Sequence, residues 1–168
     1  MLDLSDKVVE AKVRTNFEGS ISSFRVIVAE RHIMSTGVKC HRSCIEAFED
    51  LKRNKNHRYI LFHIYNNQEI RVLHQAQRNA TYDEFKDQLV SAMNEGEARY
   101  AVYDYETEGK LPTLVFILWV PSTLDVRMRM IYAASKDALK ASLIGIKREV
   151  EANDLDEISE EEVRKKAL

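Results

Sequence analysis

The run Leu114-Val-Phe-Ile-Leu-Trp-Val120, closed at once by Pro121, constrains this chain more than any other stretch. An unbroken apolar run of this length fits a strand covered on both faces, and a proline cannot continue its hydrogen-bond ladder. Ser122 and Thr123 then offer hydroxyls suited to capping a helix, so the spacing predicts a helix from near Leu124. Along it Met128, Tyr132, Leu139, Leu143 and Ile146 recur at helical steps and define a core stripe. Arg129, Lys136 and Lys140 fall on an adjoining stripe with Ala133 between them. The expectation is a positive ridge whose small residue lets a partner come close.

The rest of the chain is organised around similar signals. From Cys40 to Leu51, the residues Cys40, Cys44, Ala47, Phe48 and Leu51 keep helical spacing and predict an amphipathic helix. Arg58 to Tyr65 is apolar or aromatic at both alternations, which predicts a central strand. Asn66-Asn67 supplies residues that tolerate positive φ, so Glu69 to His74 should return antiparallel. Thr81-Tyr-Asp-Glu84 is a capping box for a helix with Tyr82, Phe85, Leu89 and Met93 on its apolar face. Arg99 to Tyr105 and Thr113 to Val120 read as a second strand pair, joined by a polar connection containing Glu108-Gly109-Lys110. Lys147 to Ala152 could add a short strand. Ser159-Glu-Glu-Glu162 caps a last helix whose end carries Arg164, Lys165 and Lys166, complementing the dipole at both ends. The order helix, hairpin, helix, hairpin, helix gives an α/β sandwich around a mixed sheet.

Charge and composition narrow the function classes. The chain has 168 residues, 45% of them hydrophobic, enough for one domain with a full core. A net charge of −2 argues against bulk attraction to nucleic acid, so electrostatic recognition must come from local patches. No apolar run approaches the ~20 residues needed to span a bilayer, and the amino terminus lacks the order of a secretory signal; a cytoplasmic protein is expected. Cys40 and Cys44 are neither a disulfide framework nor a zinc motif and read as reduced thiols. His63 alternates with apolar strand residues and reads as a core filler. No nucleophile elbow, phosphate-cradling loop or dinucleotide fingerprint is present, so no enzyme is expected, and no cofactor or metal.

The segment Trp119-Val-Pro-Ser-Thr-Leu-Asp-Val-Arg-Met-Arg-Met-Ile-Tyr-Ala-Ala-Ser-Lys-Asp-Ala-Leu-Lys140 resembles the actin-depolymerising factor/cofilin family, whose pattern is Trp-x-Pro-Asp-Thr-x-x-Val-Arg-x-Lys-Met-x-Tyr-Ala-Ser-Ser-Lys-Asp-Ala-Leu. Ser122, Arg129 and Ala134 depart from it without removing a positive charge. Thr36-Gly37-Val38, His57-Arg-Tyr-Ile-Leu-Phe62 and Arg99-Tyr-Ala-Val-Tyr-Asp104 extend the resemblance over roughly Met34 to Val163. It implies a single domain of that family over residues 34–168, with four antiparallel strands, a short fifth parallel one, and helices on both faces. Residues 1–33 then form an amino-terminal extension of unassigned role.

The resemblance also implies partners and sites. Monomeric actin is expected to be met by Ser35, Thr36, Gly37 and Val38 together with Arg127, Arg129, Met130, Lys136, Asp137 and Lys140. Phosphorylation at Ser35 or Thr36 would block that contact by bringing nearly two negative charges beside an acidic partner. Phosphatidylinositol bisphosphate is expected to compete at Arg127, Arg129, Lys136 and Lys140. Filament binding falls to the loop between the third and fourth strands and to the last helix, here Lys110, Lys165 and Lys166. Leu111 and Thr113 stand where strongly severing relatives place basic residues, so monomer binding with weakened filament binding and severing is expected. An adaptor like the glia-maturation factor, addressing the branch-nucleating complex, is the alternative; the intact Val126-Arg127-Met128-Arg129-Met130 argues against it. A monomer is expected.

Overall fold

The computed structural model describes residues 37–106, 109 and 111–167, all within a unit spanning Ile33–Leu168. The expectations for residues 1–36, among them Ser35 and Thr36, and for Lys110 lie outside the described residues.

Ten elements follow in the order β1 (Lys39–Cys40), α1 (Arg42–Asn54), β2 (His57–Tyr65), β3 (Glu69–Gln77), α2 (Tyr82–Asn94), β4 (Arg99–Tyr105), β5 (Thr113–Trp119), α3 (Val126–Ser142), β6 (Arg148–Ala152) and α4 (Glu160–Ala167). They build one sheet in the order β1-β3-β2-β4-β5-β6. β2 pairs antiparallel with β3 and β4, and β4 with β5, while β6 lies parallel to β5. The sheet therefore contains the expected five strands and a sixth. β1 adds at the far edge, parallel to β3, with Lys39 opposite Glu69 and Cys40 opposite Ile70.

The two-sided apolar strands explain why helices cover both faces. Ile60 and Phe62 of β2 join Tyr100, Phe116, Phe48 and Tyr132 in the core beneath α1 and α3. Tyr59 and Leu61, one residue out of phase, join Tyr103, Ile117, Trp119 and Phe85 beneath α2 and α4. Each such side chain, fully withdrawn from water, stabilises the fold by about 1.5–3 kcal/mol before chain entropy is counted. Trp119 also satisfies its one donor, Nε1 donating to the Leu89 carbonyl at 2.9 Å.

Local signals act largely as their chemistry requires. Asn66 and Asn67 take φ of 50° and 54°, turning β2 into β3. Thr81 Oγ1 accepts from the Glu84 amide at 3.2 Å, and the Glu84 carboxylate accepts from the Thr81 amide at 2.8 Å, completing the box at α2. The box at α4 is half formed. Ser159 Oγ accepts from the Glu162 amide at 3.4 Å, but the Ser159 amide donates instead to the Asp156 carbonyl.

Two helix starts differ from expectation. α1 begins after His41, whose Nδ1 accepts from the Ser43 amide at 3.2 Å, so Cys40 belongs to β1 rather than to the helix stripe. α3 begins at Val126, not near Leu124. The Ser122 amide is held by the Asn153 carbonyl and Leu124 closes a turn on Pro121, so the chain turns before Asp125 can cap. Asp125 Oδ1 then accepts from the amides of Arg127 at 2.8 Å and Met128 at 3.4 Å.

Candidate functional site

Hydrogen bonds at its middle lock α3 to the sheet. Tyr132 Oη accepts from the Ile64 amide at 3.0 Å, and Tyr100 Oη donates to the Tyr132 carbonyl at 2.6 Å. Burial of Tyr132, Ser135, Leu139 and Leu143 fixes the helix rotation, with Met128 and Ile146 packed at the margin. The predicted stripe is the inward face as far as Leu139; α3 ends at Ser142, so Leu143 caps it and Ile146 lies in the connection to β6, not on the helix. What remains outward is not uniformly charged: Val126 and Met130 are 58% and 67% exposed, and Ala133, Ala134, Asp137 and Ala138 continue that strip. An exposed methionine beside a file of alanines is a surface a second protein can approach to backbone distance.

The cations separate into two sets. Arg127 is exposed and Arg129 half-buried, and neither guanidinium has an ion-pair partner among the described residues; Arg129 Nε is buried with no hydrogen-bond acceptor. Lys136 and Lys140 are engaged. Lys136 Nζ lies 2.8 Å from Glu149 Oε1 and 2.5 Å from Glu151 Oε1, and Lys140 Nζ pairs with Glu149 Oε2. Burial alone would lower the Lys136 pKa, but hydrogen bonds to Glu149 and Glu151 raise it above the lysine range. Glu149 is the mirror case: burial disfavours its charge, yet the two ammoniums hold its pKa below the ordinary carboxylate value. The continuous positive ridge expected from the sequence is therefore replaced by two arginines without ion-pair partners among the described residues and a neutralised flank.

The second expected element is partly described. Gly37 is exposed with φ +74°, a conformation that other residues adopt only with strain. Val38, expected as a contact, is buried in the core beneath α3 and anchors the segment from below. β1 packs beside α3, so the amino-terminal segment and the helix belong to one side of the molecule. The Cys40 thiol joins them, within hydrogen-bond reach of Ser142 and of Cys44. The Cys44 bond lowers its pKa to about 7 against the opposing effect of burial. Cys44 is buried, its Sγ 3.2 Å from the Ile70 carbonyl, and the Cys40 hydrogen bond together with burial pushes its pKa up. Both cysteines are free.

The opposite end of the sheet, where β4 and β5 open toward their connection, has a different character. Asp104 is fully buried, with Lys55 Nζ at 2.7 Å and Arg78 Nη1 at 2.8 Å from Oδ2. Arg58 and Arg78 both pair with Glu106, and Tyr105 Oη donates to Glu160 Oε1 at 2.9 Å with Arg164 over its ring. Leu111 is 88% exposed. Lys165, expected to serve filament binding, pairs with Glu162 at 2.6 Å and Glu161 at 3.2 Å, while Lys166 is exposed. Sequence reasoning missed the Asp104 cluster; its signal was one aspartate inside an otherwise apolar strand. Among the described residues no group of three or more histidines, cysteines or carboxylates could hold a metal, and no helix is long and apolar enough to cross a membrane.

With this geometry in place, known proteins give a consistent answer. The family of cofilin/tropomyosin-type actin-binding proteins matches over residues 37–168. Actophorin of Acanthamoeba castellanii is 38% identical over 136 residues, covering 79% of this chain and 96% of its own length. A cofilin of Mycosarcoma maydis is 34% identical over 130 residues, covering 75% and 91%. Among solved structures, the cofilin of Streptomyces griseoflavus superposes with a TM-score of 0.71 at 39% identity, covering 79% of this chain and all of that one. Actin depolymerization factor 2 of Plasmodium berghei gives 0.65 at 28% identity, covering 79% and 96%.

Proposed function

We propose, from the premise that this chain belongs to the actin-depolymerising factor/cofilin family, that it binds actin monomers through α3 and the Gly37 segment and so promotes filament turnover. It is an actin-binding protein and not an enzyme. The observation that carries the reading is the first half of α3: Arg127 and Arg129, without counter-ions among the described residues, beside exposed Val126 and Met130 on a helix fixed by Tyr132. Two planar forks beside an apolar prow suit an acidic cleft, since Arg offers bidentate hydrogen bonds to carboxylates. Asp137 and the alanine file continue the contact, and Lys136 and Lys140 flank it.

Several finer parts of the reading follow from the same surface. Residues 34–168 form the actin-binding domain. A phosphate on Ser35 or Thr36 would oppose an acidic partner. Phosphatidylinositol bisphosphate headgroups would address the same helix from a membrane surface only weakly, because Lys136 and Lys140 already hold Glu149 and Glu151, and the chain acts as a cytoplasmic monomer on the actin cytoskeleton. Filament binding through Lys110, Lys165 and Lys166 is weak, because Lys165 already has two internal partners.

The decisive experiment is titration of labelled monomeric actin with the full chain and with its Arg127→Ala/Arg129→Ala variant. The variant should bind at least about 30-fold more weakly, roughly 2 kcal/mol for two central arginines. Equal affinity of the two proteins would reject α3 as the docking helix.

A further inference from the structure

The neutralised half of α3 arises from the fold rather than from chance meeting of flexible side chains. Glu149 and Glu151 alternate along β6, opposite Phe116 and Leu118 of β5, whose side chains belong to the core beneath α3. Both carboxylates therefore rise on the face that carries the helix, at its flank. The Lys136 and Lys140 side chains are only 20% and 31% exposed and Glu149 26%, so solvent screens these pairs less than it would an open surface pair. Two ammoniums and two carboxylates share three links, and their formal charges cancel.

We infer that Glu149 and Glu151 are specificity determinants: they withhold Lys136 and Lys140 from anionic partners, confine the docking charge of α3 to Arg127 and Arg129, and disfavour phosphoinositide-bearing bilayers. A headgroup phosphate reaching Lys136 must displace carboxylates already in contact and then remain beside their negative charge. A protein that seats on the first two turns meets neither. The functional meaning of this screen rests on α3 being the docking helix, while the screen itself stands on the ion pairs.

Sedimentation with phosphatidylcholine vesicles carrying phosphatidylinositol bisphosphate tests it, using the full chain and its Glu149→Gln/Glu151→Gln variant, with phosphatidylcholine alone as the blank. Each lysine released near an anionic surface adds roughly 1 kcal/mol, so the variant should bind the bilayer about tenfold or more tightly than the parent. Adding Lys136→Ala/Lys140→Ala to the glutamine background should remove the gain. Glu151→Gln alone changes one exposed side chain, which leaves the fold intact, and should gain about threefold. Vesicle binding of the double glutamine variant within about twofold of the parent, or a gain that survives loss of both lysines, overturns the inference. So does an actin affinity that rises as steeply as vesicle affinity, since the screen then selects nothing. Failure of the docking reading shows separately, as unchanged actin binding by Arg127→Ala/Arg129→Ala whatever the vesicles report.

Discussion

The first turns of α3 and the open end of the β4–β5 pair are both rich in arginine, and they use it in opposite ways. On α3, Arg127 is exposed and Arg129 half-buried, and among the described residues no carboxylate meets either. At the end of the β4–β5 pair, Arg58 and Arg78 close onto Asp104 and Glu106, and Lys55 joins them, so the same kinds of side chain serve to hold β2, β3 and β4 together. The back half of α3 resembles the second region more than the first, because β6 supplies Glu149 and Glu151. A cation is available to a partner only where the fold places no internal anion within reach, and neither net charge nor a charge stripe on a helical wheel reveals that.

The contrast breaks most visibly at Asp104. Removing it leaves Lys55 and Arg78 gathered around an empty buried position, and losing one partner of a buried ionic cluster costs about 3–5 kcal/mol. Asp104→Ala should lower the urea midpoint accordingly while the molecules that remain folded bind actin as before. An unchanged midpoint would mean that the cluster is solvated and holds nothing. The Arg127→Ala/Arg129→Ala variant should give the reverse pattern: an affinity loss of roughly 2 kcal/mol with unfolding within about 0.5 kcal/mol of the parent, as for other exposed positions. If both variants lose stability and affinity together, the two regions are not functionally distinct.

How far this division was legible in the sequence depends on the range of the interaction. β2 and β5 were readable because two-sided burial writes apolar residues at consecutive positions, and the Asn66-Asn67 turn and Thr81 box because their partners lie within a few residues. Cys40 misled because a helix-spaced cysteine continues the α1 stripe, whereas the His41 cap puts it in a two-residue strand too short to show a period. Ser122 and Thr123 had the right chemistry for caps, but the Asn153 carbonyl, far along the chain, holds the backbone out of the helix. Of the arginines of α3, Arg129 was found from helical spacing and Arg127 through resemblance. The pairing of Lys136 and Lys140 was foreshadowed only by Glu149 and Glu151 alternating on the next strand. Asp104 was the least readable, since its partners Lys55 and Arg78 lie 49 and 26 residues away.

A smaller effect is expected where the β4–β5 connection meets solvent. Leu111 is highly exposed and Thr113 half-buried, so lysines there would add cations at the surface beside the β4–β5 connection. Leu111→Lys/Thr113→Lys should strengthen cosedimentation with actin filaments about three- to tenfold, on the scale of two exposed charge pairs of roughly 0.5–1 kcal/mol each. Monomer affinity should stay as it was. Filament binding that does not move would place the weakness elsewhere than this loop.

The smallest expected effect separates Cys40 from Cys44 on the α3 side. The hydrogen bond from Cys44, helped by Ser142 and opposed by burial, brings the Cys40 pKa down to about 7, while Cys44 is pushed up. A thiol lowered in the folded state favours folding as pH rises through about 7 toward the ordinary value near 8.5, and one that is raised disfavours it above that value, so the two contributions act in successive pH windows. The unfolding midpoint should therefore rise modestly from about pH 7 toward about 8.5 and fall back above it. Reactivity should not be flat: alkylation of half-exposed Cys40 by iodoacetamide, followed by mass spectrometry, should rise through a midpoint near pH 7, while buried Cys44 stays unlabelled. Cys44→Ala should move that midpoint back toward the ordinary thiol value, because it removes the donor that stabilises the thiolate. An ordinary midpoint in the parent chain would show that the two sulfurs do not interact.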